Sequence, residues 1–276
     1  RIVTPDVVVN LKTINGQDQI EPMGLGVRIG GLVTLDALSQ NALVRSQFTV
    51  LAEAAEGVAT PQIRNVGTLA GNLCQRPWCW YYRNDFPCYK AGGNQCFSIA
   101  GENQIHAIFG GGPSYIVHPS DLAPALVALD ATFRIVGPEG ERTLSGSDFF
   151  VLPSKDAEHE NVLQDDEVLA SITLAAPSDG VRSAYHKVMD REAWTHALVS
   201  AAVVLDITAV DNLVDAELLR GHGREIGRIL RPGGVAMVVT FARDDGYYGR
   251  WLEGSSWRGQ GVVEEPNTNI RNQLFT

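Results

Sequence analysis

Positive charge is scarce in this sequence. Its 22 lysines and arginines face 32 aspartates and glutamates, for a formal net charge of -10, and such a chain repels nucleic acid phosphates. It lacks any apolar stretch near the roughly 20 residues that span a bilayer; the short run at residues 201–205 suits a buried strand or core helix. It has no internal repeat, and no nucleophile–base constellation that would put substrate chemistry on this chain. Cysteine is missing everywhere except one segment, which holds Cys74, Cys79, Cys88 and Cys96. Disulfides that staple a fold tie distant segments together, so a local cluster in an otherwise cysteine-free chain reads as a metal or redox centre.

What is present is ordinary for a globular protein: 45% hydrophobic and 20% charged residues in a chain of 276, enough for two modest domains. The chain opens on Arg1-Ile2-Val3-Thr4-Pro5, without a signal peptide or an initiator methionine, and reads as mid-protein sequence. A β-branched run predicts a strand at 6–14, closed by the Asn15-Gly16 turn, and another strand at 27–33. Thr34 caps a helix through Ala42, and an alanine-rich helix at 48–56 ends at Gly57. From 60 to 112 the periodicity fails, and a stretch of that length inside a compact chain is usually functional. Regular structure is expected again as a strand at 115–118, a helix at 122–129 capped by Asp121, and strands at 132–136 and 168–174, the last half-buried. Two more strands, 183–189 and 198–207, flank a polar bend.

Two motifs carry candidate chemistry. In Thr60-Pro61-Gln62-Ile63-Arg64-Asn65-Val66-Gly67-Thr68-Leu69-Ala70-Gly71-Asn72-Leu73, small residues at 67, 70 and 71 let backbone amides approach a bulky anion, while Thr68 and Asn72 offer side-chain hydrogen bonds. A plain polar loop ending in a turn has the same composition. The second motif is the run Cys74-x4-Cys79-x8-Cys88-x7-Cys96. Soft thiolates suit zinc or iron–sulfur clusters, but none of these spacings is C-x2-C, and zinc, a cluster and free thiols stand equal on the residues alone. Trp78, Trp80, Tyr81 and Tyr82 crowd the same segment; they either pack it onto the domain or shield a cluster.

The Gln62–Leu73 stretch closely resembles the second flavin-binding loop of the FAD subunits of the xanthine dehydrogenase and carbon monoxide dehydrogenase family, with Ala70 in place of a glycine. His118-Pro119-Ser120-Asp121 looks like that family's Ser-Asp element, and Tyr185, Lys187 and Arg191 fall as they do at the start of its C-terminal domain. The resemblance implies an α+β fold: an FAD-binding domain of the PCMH type over 1–177, then the start of a CO dehydrogenase flavoprotein-like C-terminal domain over 181–206. It implies that the family's first, glycine-rich flavin loop would lie upstream of Arg1. Carried over, it places Thr68, Gly71 and Asn72 against the flavin diphosphate, Asp121 on the ribose or adenine side, and Lys187 beside the flavin ring; Arg191 reads as structural.

A subset of these subunits, of the aldehyde oxidoreductase type, inserts a loop holding a [4Fe–4S] cluster. Gln75-Arg76-Pro77-Trp78-Cys79, Pro87-Cys88-Tyr89-Lys90 and Asn94-Gln95-Cys96 look like that loop, here residues 74–114. Cys79, Cys88 and Cys96 are its implied ligands. The usual fourth position holds Ser114, a poor ligand at neutral pH, and Cys74 is the candidate substitute. The implied role is electron relay in a molybdenum hydroxylase: from a large molybdopterin-binding subunit, through [2Fe–2S] clusters on a small subunit, to this FAD and an external acceptor. The cytoplasm is the expected compartment, or the periplasm through a partner's targeting signal. The rival reading is a non-catalytic scaffold holding a structural metal. Residues 207–276 depart from the family, and 218–240 weakly resemble a class I methyltransferase fragment, with a helix at 217–230, a turn at 231–234 and a strand at 235–241.

Overall fold

Alternating apolar residues and a set of side-chain caps explain most of the architecture. The computed structural model describes residues 5–107 and 112–206, with the backbone of 262–264 and 271–273. The helix, turn and strand expected at 217–241 lie outside the described residues. The chain divides into two units, Arg1–Thr208 and Ala209–Thr276. The first contains β1 (Ile20–Met23), β2 (Gly26–Gly30), α1 (Leu35–Gln40), α2 (Ala42–Gln47), α3 (Thr49–Glu56), α4 (Pro61–Arg64), α5 (Leu69–Leu73), α6 (Trp80–Arg83), α7 (Leu122–Ala128), β3 (Thr132–Gly137), β4 (Gly140–Ser145), α8 (Gly146–Phe149), β5 (Val168–Leu174), β6 (Val181–Val188) and β7 (Val199–Asp206). In the second, β8 (Val262–Glu264) pairs antiparallel with β9 (Arg271–Gln273).

In the first unit an antiparallel five-stranded sheet runs in the order β1-β2-β5-β3-β4. Ile29 and Phe133 sit opposite Ile172 from either side, and all three are fully buried. Enclosing each such side chain contributes roughly 2 kcal/mol. Phe133 stacks on Phe149 with centroids 4.8 Å apart. β5 is not the half-buried strand that its alternation predicts. It is the central strand, and Leu169, Ala170, Ser171 and Ile172 are buried in succession, so both its faces are covered.

The helices begin where the sequence offers an acceptor to an orphan amide. Thr34 Oγ1 takes the Ala37 amide at 3.2 Å, and Asn41 Oδ1 takes that of Val44 at 3.1 Å, starting α2, which periodicity alone does not reveal. α3 buries Val50, Leu51, Ala54 and Ala55, and the antiparallel hairpin β6–β7 is fastened to it. Ser183 Oγ accepts from the Val50 amide at 3.2 Å, and Glu53 Oε2 from the Tyr185 amide at 2.7 Å.

Three expectations are corrected. Residues 6–14 form no strand: Val7, Val8 and Val9 are exposed, and a single 3-10 turn spans Leu11–Thr13, because a β-branched run needs a partner strand and none of the described strands pairs with it. Residues 115–118 are extended but join no ladder, held by one bond from the Ala107 amide to the Tyr115 carbonyl at 2.9 Å. The side chain of Asp121 does not cap α7; Ser120 Oγ does, taking the Ala123 amide at 3.1 Å.

Candidate functional site

Two separated motifs meet at the loop before α5. Thr68 caps that helix, its Oγ1 accepting from the Gly71 amide at 3.2 Å. The loop is pinned to the core by the Leu69 amide on the Val33 carbonyl and the Ala70 amide on the Gly31 carbonyl, both 2.9 Å. Gly31 permits this approach, since a Cβ there would run into the Leu169 carbonyl. Asn72, almost fully buried, accepts through Oδ1 from Ser120 Oγ at 2.5 Å, so the flavin-loop motif and the His-Pro-Ser-Asp element are one constellation.

The amides of Leu69, Ala70, Gly71 and Asn72 are all bonded within the chain. The loop therefore offers a diphosphate side chains in place of the cradle of free amides expected from its small residues. The Thr68 hydroxyl accepts from Gly71 and keeps its own proton to donate, and Gly71 is exposed beside it. A Cβ at Gly71 would stand 3.0 Å from Thr68 Oγ1 and crowd that hydroxyl. This is a donor set and a clearance that fit an anionic nucleotide.

Asp121 and Lys187, which the resemblance sends to different ends of the flavin, are in direct contact. Lys187 Nζ donates to Asp121 Oδ2 at 2.8 Å and to the Gly57 carbonyl at 3.0 Å, and Tyr185 Oη donates to Asp121 Oδ1 at 2.7 Å. Both charged side chains are almost fully buried, 4% and 6% exposed for the lysine and the aspartate. Lys187 is thus no solvated strand-end lysine. Burial first, and the Asp121 charge second, push the Tyr185 phenol far above its ordinary range, so it stays a donor. Tyr185 is the member of this network whose position, but not whose role, is legible in the sequence. Arg191 is exposed and donates to the Trp194 carbonyl at 2.6 Å, as a structural residue does.

The cysteine segment folds into a second, small apolar cluster: Cys79, Cys88 and Tyr82 are buried, with Tyr81, Phe97 and Ile116 against them. Burial pushes the Cys79 thiol up, backbone bonds from Tyr82 and Tyr81 pull it down, and the nearby Cys88 and Cys96 push it up further. Cys79, Cys88 and Cys96 therefore share one neighbourhood. Cys74 does not: it packs against the main core, and burial raises its pKa to about 11. Cys74, the candidate fourth ligand, sits at the C-cap of α5, its amide on the Ala70 carbonyl at 2.9 Å. Ser114 is buried.

Tyr81 stacks on Phe97 and meets Phe86 edge-on, whereas Trp78 and Trp80 are 60% and 64% exposed, Trp78 lying against Arg83 and His196. An ion triad ties the segment down further: Lys90 pairs with Glu160, and Arg76 Nε lies 3.2 Å from the other carboxylate oxygen of Glu160. Nothing in the sequence announces a pairing across 70 residues, nor the contact of His106 Nε2 with Cys79 Sγ at 3.3 Å.

A cavity of about 480 Å³ opens between α3, α4 and the β6–β7 bend, but Glu53, Glu56 and Glu192 on its wall are wrong for a diphosphate.

The whole is an α+β unit in which a capped, glycine-containing loop is locked to a buried Ser-Asp element. The chain belongs to the family described as the FAD binding domain in molybdopterin dehydrogenase, which matches residues 1–177. It is 36% identical over 209 residues to the aldehyde oxidoreductase FAD-binding subunit PaoB of Escherichia coli K12, covering 74% of this chain and 65% of that protein. It is 25% identical over 254 residues to the carbon monoxide dehydrogenase medium chain of Hydrogenophaga pseudoflava, covering 88% and 71%. Quinoline 2-oxidoreductase from Pseudomonas putida 86 shares the fold, with a TM-score of 0.53 at 20% identity over 74% of this chain and 55% of that one.

Proposed function

We propose that this chain is the FAD-binding, electron-transfer part of a molybdenum-containing hydroxylase or dehydrogenase. The observation that carries the reading is the junction of Asn72 and Ser120, which makes one site of two motifs 48 residues apart. FAD, when bound, supplies a centre that accepts and releases electrons singly or in pairs. Thr68, Gly71 and Asn72 would face its diphosphate. The Asp121–Lys187 pair would act at one place on the ligand, with Tyr185 and the Gly57 carbonyl fixing the lysine's position.

Cys79, Cys88 and Cys96 would hold a [4Fe–4S] cluster, which supplies a one-electron carrier. Two soft thiolates, Cys79 and Cys88, within an apolar, aromatic-lined cluster, with the Cys96 thiol close enough to raise the Cys79 pKa, suit that group. The second reading is a non-catalytic scaffold that holds a structural metal such as zinc through the same thiols. The partners on this reading are a large molybdopterin-binding subunit and a small [2Fe–2S] subunit, in the cytoplasm or, through a partner's targeting signal, the periplasm. Among the described residues no helix is long and apolar enough to cross a membrane.

Flavin, iron, acid-labile sulfide and zinc in the purified complex test this. Stoichiometric flavin with iron and sulfide is the expected result. Absence of flavin absorbance on this subunit sinks the reading, and one zinc without iron turns it to the scaffold.

A further inference from the structure

Two side chains bonded to the thiols have no part in holding flavin. His106 Nε2 stands 3.3 Å from Cys79 Sγ, and Ser98 Oγ stands 3.1 Å from Cys96 Sγ. Ser98 is only 2% exposed. Both residues line one cavity of about 320 Å³, with Asn103, Tyr115 and Ile99. The loop holds the imidazole in place: the His106 amide bonds the Asn103 carbonyl at 3.0 Å, and the next amide, that of Ala107, bonds the Tyr115 carbonyl at 2.9 Å.

The proton positions follow from chemistry. A cysteine that ligates iron is a thiolate and can only accept, so its partners must be an O–H and an N–H. His106 Nδ1 is enclosed and has no partner. A neutral ring carries one N–H; putting it on Nε2 satisfies Cys79 and leaves only a lone pair enclosed, whereas the other tautomer would enclose an unbonded donor. At 3.3 Å the contact is a hydrogen-bond separation, and it sets His106 as a donor to Cys79.

Hydrogen bonds to ligand sulfurs favour the more negative, reduced state of a cluster and raise its reduction potential. We propose that His106 and Ser98 are positioning residues that set the potential of the cluster held by Cys79, Cys88 and Cys96; this rests on the iron–sulfur reading above. They donate to two of the three thiolates; Cys88 lies with Cys79 and Tyr82 in the apolar cluster.

The test is a redox titration of the anaerobically purified complex, followed by electron paramagnetic resonance, with iron and sulfide counted in parallel. His106→Ala and Ser98→Ala should each keep wild-type iron and sulfide and shift the midpoint to lower potential, the double variant further than either. His106→Gln, which keeps an N–H donor, should recover part of the shift and guards against a variant that merely misfolds. Full iron with an unchanged midpoint in His106→Ala and in Ser98→Ala overturns the proposal. Loss of iron from both His106→Ala and His106→Gln overturns it in favour of a ligand. Wild-type protein with flavin but no iron or sulfide instead removes the cluster reading.

Discussion

Around the sheet, Val27, Ile29, Leu51, Phe133, Ile135 and Ile172 are all fully enclosed in one continuous cluster drawn from strands and helices. Around the thiols, the buried apolar cluster among the described residues is small, Cys79, Tyr82 and Cys88, and it is supplemented by aromatic edges, single backbone bonds and an ion triad. The first region is stabilised by apolar area. The second has too little of it to offset the entropy of ordering residues 74–107, so it depends on tie points: Glu160 from outside the loop and, on the proposed function, a cluster from within. The two regions should accordingly fail separately.

The sharpest way to break that comparison is at Glu160. Glu160→Ala leaves Lys90, only 2% exposed at its side chain, as a buried charge without its carboxylate. Removing one partner of a buried pair typically costs about 3–5 kcal/mol. Phe133→Ala should cost a similar amount, about 3–5 kcal/mol, through a cavity in the core. The readout is which centre is lost, by iron and flavin content and by hydrogen exchange over 74–107. Glu160→Ala should lose iron and protection in the loop while retaining flavin, and Phe133→Ala should lose both. Flavin loss in both variants would mean that the regions form one cooperative unit.

The seam between them titrates. His118 lies edge-on to Phe150, 5.0 Å between centroids, and accepts the Ser120 amide on Nδ1. Burial lowers its pKa from 6.5 to about 4. The unfolded chain therefore binds a proton below pH 6.5 that the folded chain refuses until about pH 4. The stability this group contributes is fully present above pH 6.5 and is lost as pH falls toward 4, on the order of 3 kcal/mol in all. Thermal midpoints measured from pH 7 to 4.5 should fall, and less steeply in His118→Phe; parallel curves for the two would place the acid sensitivity elsewhere.

Legibility in the sequence divides along the same line. Strands β2 and β3 and helices α1 and α3 follow from periodicity and from Thr34, because those segments bury one continuous face; β5 shows as a strand by its apolar content, but its two covered faces do not show in its alternation. β1 and β4 are edge strands with mostly exposed side chains, so they carry little apolar signal. The isolated run at 7–9 carries the signal without a partner. At the site, Thr68, Asn72 and Ser120 stand inside recognisable motifs. Lys90 with Glu160, and Cys79 with His106, are joined only by the fold, and a residue's type at one position says nothing of a partner tens of residues away.

Ser120→Ala tests the joint directly. It removes the partner of Asn72 Oδ1 and the cap of α7 together. The expected cost is about 1–2 kcal/mol, and flavin should be retained less well while iron is unchanged. Equal loss of iron would show that the loop hangs on Ser120 and not on Glu160.

The smallest expected effect falls at the border, on Cys74. Five positions separate it from Cys79, yet its side chain belongs to the apolar cluster of the sheet and its pKa of about 11 keeps the thiol protonated at neutral pH. A thiol packed against the apolar cluster of the sheet acts there as a small apolar group. Cys74→Ala should therefore cost about 1 kcal/mol of core stability and leave iron and sulfide untouched, whereas Cys79→Ser, Cys88→Ser and Cys96→Ser each deplete iron and spare the fold of the sheet. Iron loss from Cys74→Ala matching that from Cys79→Ser would move the boundary between the two regions to the C-terminus of α5 and make Cys74 part of the metal site. Retention of iron fixes the boundary between residues 74 and 79, where the chain turns from a stretch held by burial into one held by its ligands.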